Sequence, residues 1–269
     1  MSGLREDFRC SRIGPDRTQM LQERCPDSFE RHGPLNKRIT ICVLMYGNYP
    51  TLARQVVESI VSKCERTQYH LVVGCNACCD ETLQFLQSIT QIDRLIVSPE
   101  NINKCPMQRR MFEQIETEFV WWFDDDSWID GDRSLQMRLE IADAAPPETV
   151  LWGPIFYWND QAGFNFGVDV EPWIRAQPWY SREPIPCDCS GKWVFVIGAS
   201  WFARTSALKQ LNWPPASFIK AGDDAILCEA IRQSGLRFEQ IGECGVKFQT
   251  HDRRAPESKE MMLAQVKLS

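Results

Sequence analysis

Three consecutive aspartates, Asp124, Asp125 and Asp126, follow directly on the apolar run Phe119-Val120-Trp121-Trp122-Phe123. Like charges a few ångströms apart repel by roughly 1 kcal/mol in water, and several-fold more where solvent is excluded. A cation is therefore expected among them, and an all-oxygen, acidic ligand set favours Mg²⁺ or Mn²⁺ over zinc. The bland alternative is an acidic turn that caps a following helix, with Asp126 or Ser127 as the cap. A second acidic pair, Asp223-Asp224, stands at the start of an expected helix over residues 224–234. A carboxylate there could accept a proton from a nucleophile, and the positive end of the helix dipole favours its ionised form. Simple capping is again the bland reading. Lys104, Arg109 and Arg110 form a small basic cluster shortly before the first acidic motif.

These residues need a scaffold, and the apolar pattern supplies one. Arg38 to Met45 is a short, nearly continuous apolar run bounded by Gly47-Asn48-Tyr49-Pro50, as suits a strand buried on both faces. Leu52, Val56, Val57, Ile60 and Val61 then recur at helical spacing behind Thr51 as N-cap. Further strands are expected at His70–Gly74, Arg94–Val97 and Phe119–Phe123, with helices near 82–89 and 107–118. Strand and helix thus alternate as in a doubly wound α/β sheet, whose ligands gather beyond the carboxyl ends of the strands. That singles out Tyr46 to Asn48, Asn76, Asn101 to Arg110 and Asp124 to Asp126. The second half is aromatic-rich between residues 151 and 201, with strands expected near 150–158 and 192–201. Ile226, Leu227, Ala230 and Ile231 mark the helix over 224–234, which Gly235 closes.

The composition bounds the rest. The 269 residues are 43% hydrophobic and 25% charged, enough for a full core and against wholesale disorder. The net charge of −6 supplies no basic stripe for bulk attraction to nucleic acid or anionic lipid. No run of about 18 apolar residues and no secretory leader is evident, so a cytoplasmic protein without a transmembrane anchor is expected. The twelve cysteines, including Cys75, Cys78, Cys79, Cys187 and Cys189, are read as reduced thiols that pack, rather than as a zinc site. Residues 1–37 are read as an irregular extension and 256–269 as a tail.

The ordered set of motifs from Ile39 to about His251 resembles family 2 glycosyltransferases of the GT-A fold. The carriers are ITICVLMYGNYPTLARQVVESI, FVWWFDDDSWI, IGASWFARTSAL and AGDDAILCEAIRQSG. The resemblance implies a mixed, doubly wound sheet flanked by helices, with a nucleotide-sugar half over 38–130. A smaller, aromatic-rich acceptor and catalytic half would span 131–255. It implies a nucleoside-diphosphate-sugar donor, a UDP-sugar being favoured, and transfer to an acceptor hydroxyl with inversion, assisted by Mn²⁺ or Mg²⁺. Tyr46, Asn48, Asn76, Lys104, Arg109, Asp124 and Asp125 would then serve the donor. Asn76 stands where the family usually has an aspartate touching the base. Asp126, Asp124 and His251 would serve the metal, and Asp224, paired with Asp223, would be the catalytic base. Ala230 stands where an arginine is often found.

The acceptor is open between a glycan, a lipid-linked sugar, a protein side chain, a small metabolite and modified DNA. WWFDDDS and NKCPMQRRMF are similar to phage-type relatives that act on hydroxymethylated bases, which would place the protein in a host's cytoplasm. A nucleotidyltransferase that makes nucleotide sugars should carry a glycine-rich, arginine-bearing loop after the first strand, and Tyr46-Gly47-Asn48-Tyr49-Pro50 is not one. A non-catalytic binding module on the same scaffold is the other alternative.

Overall fold

The computed structural model describes residues 37–159, 172–181, 192–215, 217–218, 222–241 and 245–248. Four parallel strands form its first half: β1 (Ile39–Tyr46), β2 (Tyr69–Asn76), β3 (Arg94–Ser98) and β4 (Phe119–Asp124). The crossovers between them carry α1 (Pro50–Lys63), α2 (Asp80–Ser88) and α3 (Lys104–Phe112). Thr51 is not the N-cap of α1. Tyr49 holds that position with no side-chain bond, and Pro50 starts the helix, where its missing N–H is no loss. The third helix begins at Lys104 rather than near Met107 and ends at Phe112, so the basic cluster lies on it.

The capping reading of the acidic turn fails. Asp126 leads not into a helix but into a short strand, β5 (Ser127–Ile129), and the next helix, α4, starts only at Ser134 (Ser134–Ala144). The long strands expected in the second half each divide in two. Residues 149–159 form β6 (Thr149–Gly153) and β7 (Ile155–Asn159), broken by Pro154, which lacks the N–H a ladder needs. After the short α5 (Pro172–Arg175), residues 192–204 form β8 (Lys192–Val196) and β9 (Ser200–Arg204), separated by a turn at Gly198-Ala199. The chain continues through α6 (Thr205–Leu211), α7 (Asp223–Gln233), β10 (Arg237–Gln240) and β11 (Val246–Phe248).

The central sheet has seven strands in the order β10-β6-β9-β4-β1-β2-β3. β9 runs antiparallel to both β4 and β6, so the sheet is mixed. β7 pairs with β8, and β11 pairs antiparallel with β5, Phe248 opposite Ser127. The fold is thus a mixed α/β sheet flanked by helices.

The period-2 geometry of β4 governs the site. Phe119, Trp121 and Phe123 enter one buried cluster, with Val56, Val57 and Ile60 of α1, while Val120 and Trp122 enter the other, with α3, α6 and α7. Trp121, Trp122 and Phe123 are all fully buried. Asp124 falls in phase with Trp122 and so turns to the face carrying α3 and α7.

Candidate active site

Asp124 ends β4 at the carboxyl edge of the parallel strands. Its Oδ1 accepts the indole N–H of Trp122 at 3.0 Å, and its Oδ2 lies 3.0 Å from the ammonium of Lys104, at the start of α3. The same ammonium reaches Asp223 Oδ2 at 3.2 Å and stands 5.9 Å from the Trp122 ring centroid. One lysine therefore joins the acidic turn after β4 to the acidic start of α7.

Burial pushes the Asp124 carboxyl up to about 7; Lys104 opposes this, and the charges of Asp223 and Asp126 add to it. Burial also works against the charge of Lys104, but Asp124, Asp223 and Asp224 together outweigh it and hold its pKa above the ordinary value. The lysine stays charged, and the carboxylates are the groups under strain.

Asp224 is held by backbone. Gly198 donates its N–H to Oδ2 at 3.0 Å, and Ala225 donates to Oδ1 at 2.9 Å. A Cβ at 198 would lie 3.1 Å from the Lys104 ammonium and 3.4 Å from Asp224 Cβ, so the lysine would have to give by a few tenths of an ångström. Burial, then the neighbouring Asp223, lift Asp224 to about 6. The helix dipole was expected to favour its ionised form; burial and like charge win instead. The group still ionises near neutrality, as a general base requires.

Asp125, the first residue of the turn after β4, is buried and accepts the backbone N–H of Tyr46 at 3.1 Å. Tyr46 itself is 45% exposed. A cleft of about 260 Å³ opens between them, lined by Leu44, Tyr46, Asn76, Asn101, Asn103, Lys104, Asp124 and Asp125. Among these described residues Lys104 is the one cation. The fold thus brings Tyr46, Asn76, Lys104, Asp124 and Asp125 around one cleft, with Asp223 and Asp224 joined to it through Lys104.

Other expected site residues lie elsewhere. Asn48 is exposed on the bend after β1 and does not line the cleft. Arg109 turns away: its guanidinium donates to Asn212 Oδ1 at 3.2 Å and to the Pro214 carbonyl at 2.9 Å. It lines a separate cleft of about 230 Å³ with Phe112, Thr205 and Trp213. A helix places residues about 100° apart, so Lys104 and Arg109 at opposite ends of α3 need not share a target. His251 lies outside the described residues. Of the aromatic stretch, Trp152 and Trp201 are core, and Trp173, Trp179 and Tyr180 pack against it. Ala230 is fully buried in α7.

The turn at Gly198-Ala199 belongs to the site although its side chains carry no chemistry. The Ala199 carbonyl accepts the N–H of Asp124 and the hydroxyl of Ser127, each at 2.8 Å. Its signal in the sequence was the small-residue run Gly198-Ala199-Ser200 after an apolar strand.

The acidic residues and Lys104 stand at the carboxyl edge of the parallel strands, where sheets of this kind collect their ligands. The family model described as "Glycosyltransferase like family 2" matches residues 37–239. The chain belongs to that family. No curated protein matches it.

Among solved structures it is similar to the mannosyltransferase PcManGT from Pyrobaculum calidifontis, in complex with GDP-Man and Mn²⁺. That likeness has a TM-score of 0.59 and 15% identity and covers 94% of this chain and 68% of that one. It is also similar to S. aureus TarS 1-349, with a TM-score of 0.54 and 15% identity, covering 86% of this chain and 64% of that one. The same TarS fragment in complex with UDP-GlcNAc matches with a TM-score of 0.51. The chain thus spans less than two thirds of the TarS fragment's length, and 39% of the longer TarS structure. At this identity the likeness concerns the fold, which is that of the GT-A glycosyltransferases. No described helix is long and apolar enough to cross a membrane.

Proposed function

We propose that the chain transfers a glycosyl group from a nucleoside-diphosphate sugar to an acceptor hydroxyl, with inversion at the anomeric carbon. The observation that carries this reading is the double ion pair of Lys104, which joins Asp124 beside the cleft to the Asp223-Asp224 pair. A donor-handling end and a proton-accepting end thereby meet, as transfer requires. Family membership and nucleotide-bound structures of similar fold support it.

In this reading Tyr46 and the loop bearing Asn101 flank the donor's nucleoside, and Lys104 faces its diphosphate with a preorganised charge. Asp224, held by two backbone N–H groups, takes the acceptor's proton as the hydroxyl attacks. Residues 38–130 act as the donor half and 131–255 as the acceptor and catalytic half.

The acidic turn fits a hard divalent cation, Mn²⁺ or Mg²⁺. Asp124 and Asp126 supply carboxylate oxygens close enough for Asp126 to raise Asp124 electrostatically. Among the described residues no group of three or more His, Cys, Asp or Glu is arranged to hold an ion. That donor set suits a cation completing its shell from phosphate and water. When bound, it would offset charge on the departing diphosphate as a Lewis acid.

A panel of nucleotide sugars with Mn²⁺ or Mg²⁺, read by nucleoside diphosphate release and thermal shift, tests the proposal. Asp126→Asn should lose metal-dependent nucleotide binding, and Asp224→Asn should keep binding and lose turnover. No response of the wild-type chain to any nucleotide or nucleotide sugar would sink the transferase reading.

A further inference from the structure

Asn76 ends β2 beside the cleft, yet only 2% of it is exposed, and its amide is committed to the chain itself. Its Oδ1 accepts the N–H of Ile102 at 3.0 Å. Its Nδ2 donates to Asn101 Oδ1 at 3.1 Å and to the Asn103 carbonyl at 3.4 Å. A backbone N–H can only donate, so the Ile102 bond fixes which end of the amide is oxygen. Asn101 Oδ1 also accepts the N–H of Asn103 at 2.9 Å.

These bonds converge on a strained point. Asn103 has φ 71 and ψ 167, a conformation uncommon outside glycine, and it immediately precedes Lys104 at the start of α3. Its carbonyl accepts the Met107 N–H at 3.3 Å in the first turn. Such backbone persists only where its surroundings over-determine it.

We infer that Asn76 is a positioning residue whose amide clasps residues Asn101–Asn103 and so sets Lys104 between Asp124 and Asp223, rather than contacting the donor's base. Both halves of an amide are needed. An aspartate at 76 could still accept from Ile102, but it could not donate, and it would face the Asn101 and Asn103 oxygens with like charge. This separates the clasp from base contact, because a base-contacting role would tolerate Asp at this position. The functional weight of Lys104 rests on the proposed transferase reading; the clasp itself does not.

The test compares Asn76→Asp with wild type in the full chain by backbone hydrogen exchange, nucleoside diphosphate binding and the pH profile of turnover. The clasp predicts exchange across residues 101–104 faster by about tenfold, the scale of one lost buried hydrogen bond. It also predicts that the acidic limb of the rate profile moves to higher pH, because a displaced ammonium no longer favours ionised Asp224. Wild-type exchange in this loop, or tighter nucleotide binding with the loop still protected, overturns the inference. If wild type itself neither binds nucleotide nor turns over, the transferase reading has failed and loop exchange alone decides the clasp. Should Asn76→Asp not fold, Asn101→Asp and Asn101→Leu provide the same comparison. The first keeps the shared acceptor and should protect the loop; the second should not, and equal exchange in both overturns the clasp.

Discussion

The Lys104 ammonium lies 3.2 Å from the carboxylate of Asp223, so the helix before β4 neutralises an acid that opens α7. Replacing the lysine by methionine keeps the stem and deletes the charge. Asp124, Asp223 and Asp224 then face one another without it. Nucleotide affinity of Lys104→Met is expected to fall by about ten- to a hundredfold, the scale of a charge-assisted hydrogen bond. Titration calorimetry at fixed ionic strength measures it; an unchanged affinity would remove Lys104 from donor binding.

Asp224 sets a pH dependence with a definite sign. Its folded-state pKa is raised to about 6 from 3.8, by burial and then Asp223. A base works ionised, so turnover should climb about tenfold per pH unit below 6 and level off above it. Stability runs the opposite way. The folded form binds the proton more tightly than the unfolded chain, so this contribution is fully present below about 3.8 and is lost as pH rises through 6. Thermal melts of the ligand-free protein should show that decline between pH 4 and 6, and Asp224→Asn should make it shallower, leaving the part that Asp124, raised to about 7, contributes.

Arg109 makes a contrasting case. Its bonds to Asn212 and Pro214 tie α3 to the segment after α6. Arg109→Ala is expected to cost about 1–2 kcal/mol of stability while leaving nucleotide affinity within about twofold. Urea melts and calorimetry separate the two, and a selective loss of affinity would return Arg109 to the donor site.

Gly74, in the middle of β2, packs against α3. A Cβ there would lie 2.6 Å from Met111 Sδ and 3.2 Å from Met107 Cγ. Overpacking of this kind costs about 1–3 kcal/mol. Because α3 carries Lys104, Gly74→Ala should lower both the melting temperature and nucleotide affinity. A stability loss with unchanged affinity would show that the helix absorbs the methyl without moving its N-terminus.

What could be read from residues alone follows from how local each signal is. The four parallel strands and their helices announced themselves because a buried strand is a short apolar run and a packed helix repeats its apolar face. The acidic pairs were visible for the same reason. The breaks in the second half were not, because Pro154 and the Gly198-Ala199 turn interrupt apolar runs without ending them. Nor could spacing separate Lys104 from Arg109. One turns to the carboxylates and the other to Asn212, a choice made by tertiary packing of α3. Asn76 lines the cleft, but its partners, Asn101, Ile102 and Asn103, come from the loop after the neighbouring strand, which no local pattern foretells.

The turn between β8 and β9 acts as a gauge. Gly198 fixes the Asp224 carboxylate through its N–H, and Ala199 fixes the start of the acidic turn through its carbonyl. The span between the two acidic motifs is therefore set by adjacent peptide units, among the stiffest links a chain possesses. In the proposed reading, an enzyme built this way could exchange one acceptor for another without re-tuning the spacing between its donor-handling turn and its base.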